Sequence, residues 1–123
     1  MSSIFDSFFN KDKENRKPGK VEYKNELPEN ENTLKIKAKV YGQVQGVGFR
    51  FTTTELAKQL NVNGIVQNEN DGSVYIEALG NNEQINEFIE ELAKGPSPSA
   101  QVDQVEVEYD SSITDYNGFG ERH

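Results

Sequence analysis

Hydrophobic and polar residues alternate clearly only from residue 34 onward. In LKIKAKV, residues 34–40, apolar side chains alternate with three lysines, which predicts a strand with one buried face. Residues 50–60 favour a helix, and we expect it to contribute three side chains to a core: Phe51, Leu56 and Leu60. The first half of this region therefore predicts a strand followed by a helix.

The second half predicts a hairpin, a helix and a last strand. Residues 63–68 form a short strand, and the turn signal NDGS, residues 70–73, joins it to the strand VYIEAL. NNEQINEFIEELAKGP follows, with apolar residues at helical spacing and Gly95-Pro96 as a stop. The last strand places three side chains on one face: Val105, Val107 and Tyr109.

The order of these elements is strand, helix, strand, strand, helix, strand. This order suits an α+β sandwich in which two helices cover one face of a sheet and the other face is open to solvent. The three lysines of the first strand fit that open face, and we assign them no function.

The first 33 residues differ in kind from the rest. From Asn10 to Thr33 the chain is dominated by Lys, Glu, Asn and Pro, so we expect residues 1–33 to be a disordered extension. Ile4, Phe5, Phe8 and Phe9 would share one face of a short helix at 2–10. One interpretation is a helix that docks on a partner or a membrane surface; the other is a frayed tail, because so short a helix is marginal in water.

Composition limits the chemistry that the chain can perform. The chain has 123 residues, no cysteine and a net charge of −8, and His123 is its only histidine. Disulfides and thiolate metal sites are therefore excluded, a histidine metal site or Ser-His-Asp triad is disfavoured, and the acidic balance disfavours nucleic acid. No apolar run reaches the roughly 18 to 20 residues of a transmembrane segment, and the N-terminus does not resemble a secretory signal. We therefore expect a cytoplasmic protein, monomeric by default for a small acidic domain.

The stretch YGQVQGVGFR, residues 41–50, carries the candidate chemistry. Gly46 and Gly48 precede the predicted helix, where free backbone N–H groups and the helix dipole favour an anion. Arg50 adds a planar fork that can bind two oxygens of a phosphate or carboxylate. The alternative is an ordinary glycine-rich turn whose arginine pairs with a surface carboxylate. The stretch matches neither GxxxxGK[ST] nor GxGxxG, and no acidic cluster is arranged for magnesium, so we expect anion binding without a metal or other cofactor.

Three segments together resemble the acylphosphatase family. VYGQVQGVGFR, GIVQN and DGSVYIEALG match the family pattern V-x-G-x-V-Q-G-V-x-F-R, G-x-V-x-N and D-G-x-V. The similarity continues through KGPSPSAQVDQVEVEY to an F-x-x-R element, Phe119 to Arg122, and covers residues 34–123. It implies a ferredoxin-like βαββαβ sandwich with an antiparallel sheet. It also implies hydrolysis of a small-molecule substrate, an acyl phosphate, to carboxylate and inorganic phosphate.

The resemblance also implies roles for individual residues. The phosphate-binding arginine falls on Arg50 and the asparagine that orients the attacking water falls on Asn68. The phosphate cradle falls on five backbone amides: Gln45, Gly46, Val47, Gly48 and Phe49. The chain departs from the family at Ile65, Glu121 and His123, where tryptophan, an apolar residue and tyrosine are common. An alternative function is a non-catalytic oxyanion-sensing or protein-interaction module, since one fold can host many functions.

Overall fold

The computed structural model describes residues 17–123 of the chain. The helix predicted at 2–10 lies outside the described residues. Within the described part the chain forms eight elements: β1 (Lys20–Tyr23), β2 (Leu34–Gln43), α1 (Phe49–Leu60), β3 (Asn63–Asn68), β4 (Val74–Gly80), α2 (Asn82–Lys94), β5 (Gln101–Tyr109) and β6 (Phe119–Arg122). Neither helix has the length and apolar character needed to cross a bilayer.

The six strands form one sheet in the order β1-β5-β2-β4-β3-β6. The four central strands pair with one another in antiparallel fashion and, with the two helices, follow the βαββαβ order, so the predicted ferredoxin-like sandwich is confirmed. The two edge strands were not predicted, and each runs parallel to its neighbour. Glu121 is exposed within β6 and does not prevent that strand from pairing with β3.

The core lies between the helices and one face of the sheet. Every second residue of β2 from Leu34 to Val40 is buried, as the alternation predicts. The lysines between them line the opposite face, where Lys37 lies 3.6 Å from Glu108 and 3.5 Å from Asp110. Ile65, at the position where the family often has tryptophan, is also buried.

Helix α1 begins one residue earlier than predicted, and the prediction that Phe51 is a core residue is wrong. Phe51 is 61% exposed, whereas Phe49 is 2% exposed and packs in the core. The buried side of α1 runs from Phe49 through Thr53 to Leu56, spaced by four and three residues. Phe51 is out of phase with this stripe and projects from the first turn toward solvent.

The prediction that residues 1–33 are disordered is wrong for the segment around β1. Lys20–Tyr23 pairs in parallel with β5, and Val21 packs against the core. Asn25 extends the contact, because its side chain both donates to the Tyr109 carbonyl and accepts from the Tyr109 N–H at 2.9 Å. The hydrogen bonds along β5 compensate for the low hydrophobicity of this segment.

Stacking of Tyr23 on Tyr109 helps to hold β1 in place. The ring centroids are 6.0 Å apart and the ring planes 12° from parallel. We expect Tyr23→Ala to lower the free energy of unfolding by roughly 0.5 to 1.5 kcal/mol, the range for one aromatic pair. Urea unfolding measures this loss. Tyr23→Phe keeps the ring and should stay close to wild type; an equal loss in both variants would show that stacking is not the stabilising contact.

Candidate functional site

Three strands bring the candidate residues to one edge of the sheet. Strands β2 and β3 are both antiparallel to β4, and Val74 of β4 lies between Val40 and Asn68 in the register. The carboxyl ends of β2 and β3 therefore lie at the same edge. Strand β6 is parallel to β3, with Arg122 opposite Gln67, so His123 follows at this edge as well.

The loop between β2 and α1 holds its glycines in a conformation that other residues rarely adopt. Gly46 has φ +75° and Gly48 has φ +76°, both in the left-handed region. A Cβ built on either glycine would meet no protein atom within 4 Å, so the space beside this loop is open. Glycine is required here by the backbone conformation and not by crowding within the protein.

The backbone amides of the loop are free to bind a ligand. Within residues 17–123, no N–H group from Gln45 to Phe49 donates a hydrogen bond to the protein. Gly48 is the N-cap of α1 and supplies no side chain to its first turn, which also holds no acidic residue. Helix α2 differs, since Asn81 and Gln84 form a capping box at its start. The positive end of α1 is thus left open.

Arg50 lies in the first turn of α1, directly after the loop. Among the described residues, no carboxylate lies within ion-pair distance of its guanidinium; its polar side-chain contact is Nη1 to Nδ1 of His123, at 3.1 Å. The alternative of a surface ion pair is therefore not observed in this part of the chain. One turn further along the helix, the hydroxyl of Thr54 donates to the Arg50 carbonyl at 2.8 Å.

The side chain of Gln45 connects the loop to the segment that follows Asn68. Its Nε2 donates to the carbonyls of Glu69 and Ser73, each at 2.8 Å. Asn68 itself is the last residue of β3 and is exposed. Sequence reasoning assigned only the backbone of Gln45; its side chain acts through a tertiary contact that no local pattern indicates.

The carboxylate of Asp71 stabilises the tight turn that follows Asn68. Asp71 accepts hydrogen bonds from the Ser73 hydroxyl and, at 3.0 Å, from the Ser73 N–H, and Lys39 lies 3.1 Å away. These contacts, the Ser73 hydroxyl first, lower the pKa of Asp71 from 3.8 to about 2. The charged carboxylate therefore favours the folded turn.

We expect the contribution of Asp71 to the free energy of unfolding to depend on pH. Because the pKa of Asp71 is lower in the folded chain, its contribution is full above pH 3.8 and is lost as the pH falls toward about 2. We expect Asp71→Asn to flatten this part of the pH dependence of the unfolding free energy, measured by urea unfolding from pH 5 to pH 2. Asp103→Asn, at an exposed position on β5, is the control; an unchanged slope in Asp71→Asn would contradict the prediction.

The site thus combines a set of free N–H donors, a helix N-terminus and one guanidinium at a sheet edge. Such donors suit an anion with several oxygens, and each would bind it by charge-assisted hydrogen bonds. In the described part of the chain, no three His, Cys, Asp or Glu side chains are grouped closely enough to hold a metal ion.

Comparison with known proteins points to one family. The Acylphosphatase family model matches residues 36–120. The chain is 48% identical over 90 residues to an acylphosphatase from Mannheimia succiniciproducens, covering 73% of this chain and 99% of that protein. The fold superimposes on the acylphosphatase of Bacillus subtilis with a TM-score of 0.70 and 32% identity, covering 73% of this chain and 99% of that one. An acylphosphatase structure from Coxiella burnetii gives a TM-score of 0.69 and 36% identity, with coverage of 74% and 94%.

Proposed function

The chain belongs to the acylphosphatase family, and we propose that it hydrolyses acyl phosphates to a carboxylate and inorganic phosphate without a metal ion. The observation that supports this best is the loop from Gln45 to Phe49, whose N–H groups make no hydrogen bond within the described part of the chain and which is followed directly by Arg50. Such a loop matches the non-bridging oxygens of a phosphoryl group.

In the proposed mechanism the loop amides and Arg50 hold the phosphoryl group. The guanidinium binds two oxygens in its plane, while the N–H groups from Gln45 to Phe49 surround the remaining charge. The same donors stabilise the charge that spreads over these oxygens in the transition state. Binding and charge stabilisation thus come from the same set of donors.

Asn68 is proposed to orient the attacking water. A carboxamide has no useful basicity, so its contribution is a hydrogen bond that aligns the water with the phosphorus atom. The side chain of Gln45 supports this role, since it ties the loop to Glu69, the residue after Asn68. Asn68 is exposed, as a residue that contacts a water and a substrate must be.

The chemistry needs no nucleophilic side chain. Water attacks phosphorus, the bond between phosphorus and the acyl oxygen breaks, and the carboxylate leaves with the bonding electrons. The proton released by the water is taken up by a phosphate oxygen of the substrate. Because the leaving carboxylate is already stable, positioning and charge stabilisation supply most of the required rate enhancement.

Hydrolysis of benzoyl phosphate in the presence of EDTA tests the proposal. We expect turnover that EDTA does not reduce, and much slower turnover of p-nitrophenyl phosphate, an ester with a poorer leaving group. Competitive inhibition by inorganic phosphate should accompany turnover. A folded protein that leaves benzoyl phosphate intact would refute the enzymatic function.

The protein is further proposed to act as a cytoplasmic monomer. Its acidic net charge of −8 supports a monomer, because like charges disfavour self-association. Light scattering after size-exclusion chromatography measures the mass directly, and cell fractionation locates the protein.

A further inference from the structure

We propose that His123 is a positioning residue for Arg50: its imidazole holds the guanidinium at the phosphoryl site without neutralising its charge. This inference rests on the proposed phosphate-binding role of Arg50. It assigns a function to a residue at which the chain departs from the family pattern, and to the only histidine in the sequence.

The fold places His123 beside the site through strand β6. Phe119 of this strand is buried and packs edge-on against Phe88 of α2, with ring centroids 6.0 Å apart. The parallel register then pairs Gly120 with Ile65 and Arg122 with Gln67. His123 therefore follows at the level of Asn68, next to the first turn of α1.

The direction of the hydrogen bond defines the state of the imidazole. A guanidinium can only donate, so Nη1 of Arg50 donates and Nδ1 of His123 accepts across the 3.1 Å between them. A nitrogen that accepts carries no proton, which places the imidazole proton on Nε2 and makes the ring neutral. The contact is thus made by an uncharged partner.

A neutral partner suits an arginine that must bind a phosphate. A carboxylate at this position would orient the guanidinium equally well, but its charge would oppose the approach of the phosphoryl oxygens. Arg50 has five N–H donors, and the contact with His123 uses one of them, so four are left for the ligand. The imidazole restricts the flexible side chain while the positive charge stays available.

Variants of His123 test orientation and charge separately. The amide oxygen of His123→Asn takes the place of Nδ1, whereas His123→Gln puts its amide at the Nε2 position and loses the contact. We expect His123→Gln and His123→Ala to raise the dissociation constant of inorganic phosphate roughly three- to tenfold, the value of one ordinary hydrogen bond. His123→Asn should restore most of the affinity.

His123→Asp has the shape of His123→Asn but adds a negative charge. If the neutral imidazole matters, this variant should bind phosphate roughly tenfold more weakly than His123→Asn despite keeping the contact. Calorimetric titration with phosphate gives these constants. Kinetics with benzoyl phosphate should show a rise in KM that exceeds the fall in kcat, which a purely structural role would not produce.

Glu121→Gln, an exposed neighbour on β6, is the matched control and should bind phosphate like wild type. Wild-type affinity in His123→Gln, or equal affinity in His123→Asp and His123→Asn, would overturn the inference. Turnover of benzoyl phosphate by the wild type reports on the proposed function independently, so an active enzyme with unaffected His123 variants would refute only the role of His123. A folded wild type that neither binds phosphate nor hydrolyses benzoyl phosphate would refute both.

Discussion

Replacing Arg50 by glutamine is expected to lower kcat/KM for benzoyl phosphate by roughly 10³- to 10⁵-fold, the range known for arginines that stabilise phosphoryl transfer. Glutamine keeps a polar side chain of similar reach but lacks the charge and the fork. The same variant should lose measurable inhibition by inorganic phosphate, because Arg50 is proposed to bind the ground state as well as the transition state. Binding and turnover therefore fall together.

Arg50→Lys separates the charge of Arg50 from its geometry, and Lys58→Gln is the matched control. Arg50→Lys keeps the positive charge and loses the planar guanidinium. We therefore expect it to bind phosphate more weakly than wild type and to have a strongly reduced kcat. Lys58→Gln removes a positive charge from the exposed last turn of the same helix and should leave kinetics near wild type. Steady-state kinetics and circular dichroism on all three variants measure activity and folding. A folded Arg50→Gln protein with wild-type activity would contradict the assigned role.

Local sequence predicts the geometry of the loop at the candidate site. Glycines before a helix, followed by an arginine, indicate free amides and a fork within one continuous stretch, and the structure contains both. The link to Asn68 depends on tertiary contacts. Gln45 contacts Glu69, 24 residues away in the sequence, and His123 contacts Arg50, 73 residues away. A periodic pattern of apolar residues does not predict contacts of this kind.

The fold was predicted where hydrophobic periodicity is strong. The alternation of β2 and the four-three spacing of α2 specify buried faces, so these elements follow from sequence. Strands β1 and β6 have four residues each, and they pair with the outer strands of the central four-stranded sheet. Their hydrogen bonds to β5 and β3 decide their structure, and composition alone therefore predicted disorder for β1. Phe51 is apolar, but it does not lie on the helix face that contains the buried residues Phe49 and Leu56, and hydrophobicity alone does not show this.

Replacing Asn68 by alanine is expected to separate turnover from binding. If Asn68 orients the attacking water, its loss should raise the transition-state barrier by roughly 2 to 4 kcal/mol, by analogy with a lost oxyanion donor. That loss corresponds to a fall in kcat of about 30- to 1000-fold, since about 1.4 kcal/mol is a factor of ten. The inhibition constant of inorganic phosphate should change little, because the loop amides and Arg50 remain.

The comparison of Asn68 with Asn70 makes this test specific. Asn70 is also exposed and lies two residues further along, in the turn that follows β3, so Asn70→Ala controls for general effects on the turn. Single-turnover hydrolysis of benzoyl phosphate isolates the chemical step from product release, and inhibition by phosphate reports on the anion site. A fall in kcat with constant phosphate affinity in Asn68→Ala alone supports water orientation. If phosphate affinity falls in parallel with kcat, Asn68 binds the phosphoryl group itself, and the water must be aligned by another group at the carboxyl ends of β2 and β3.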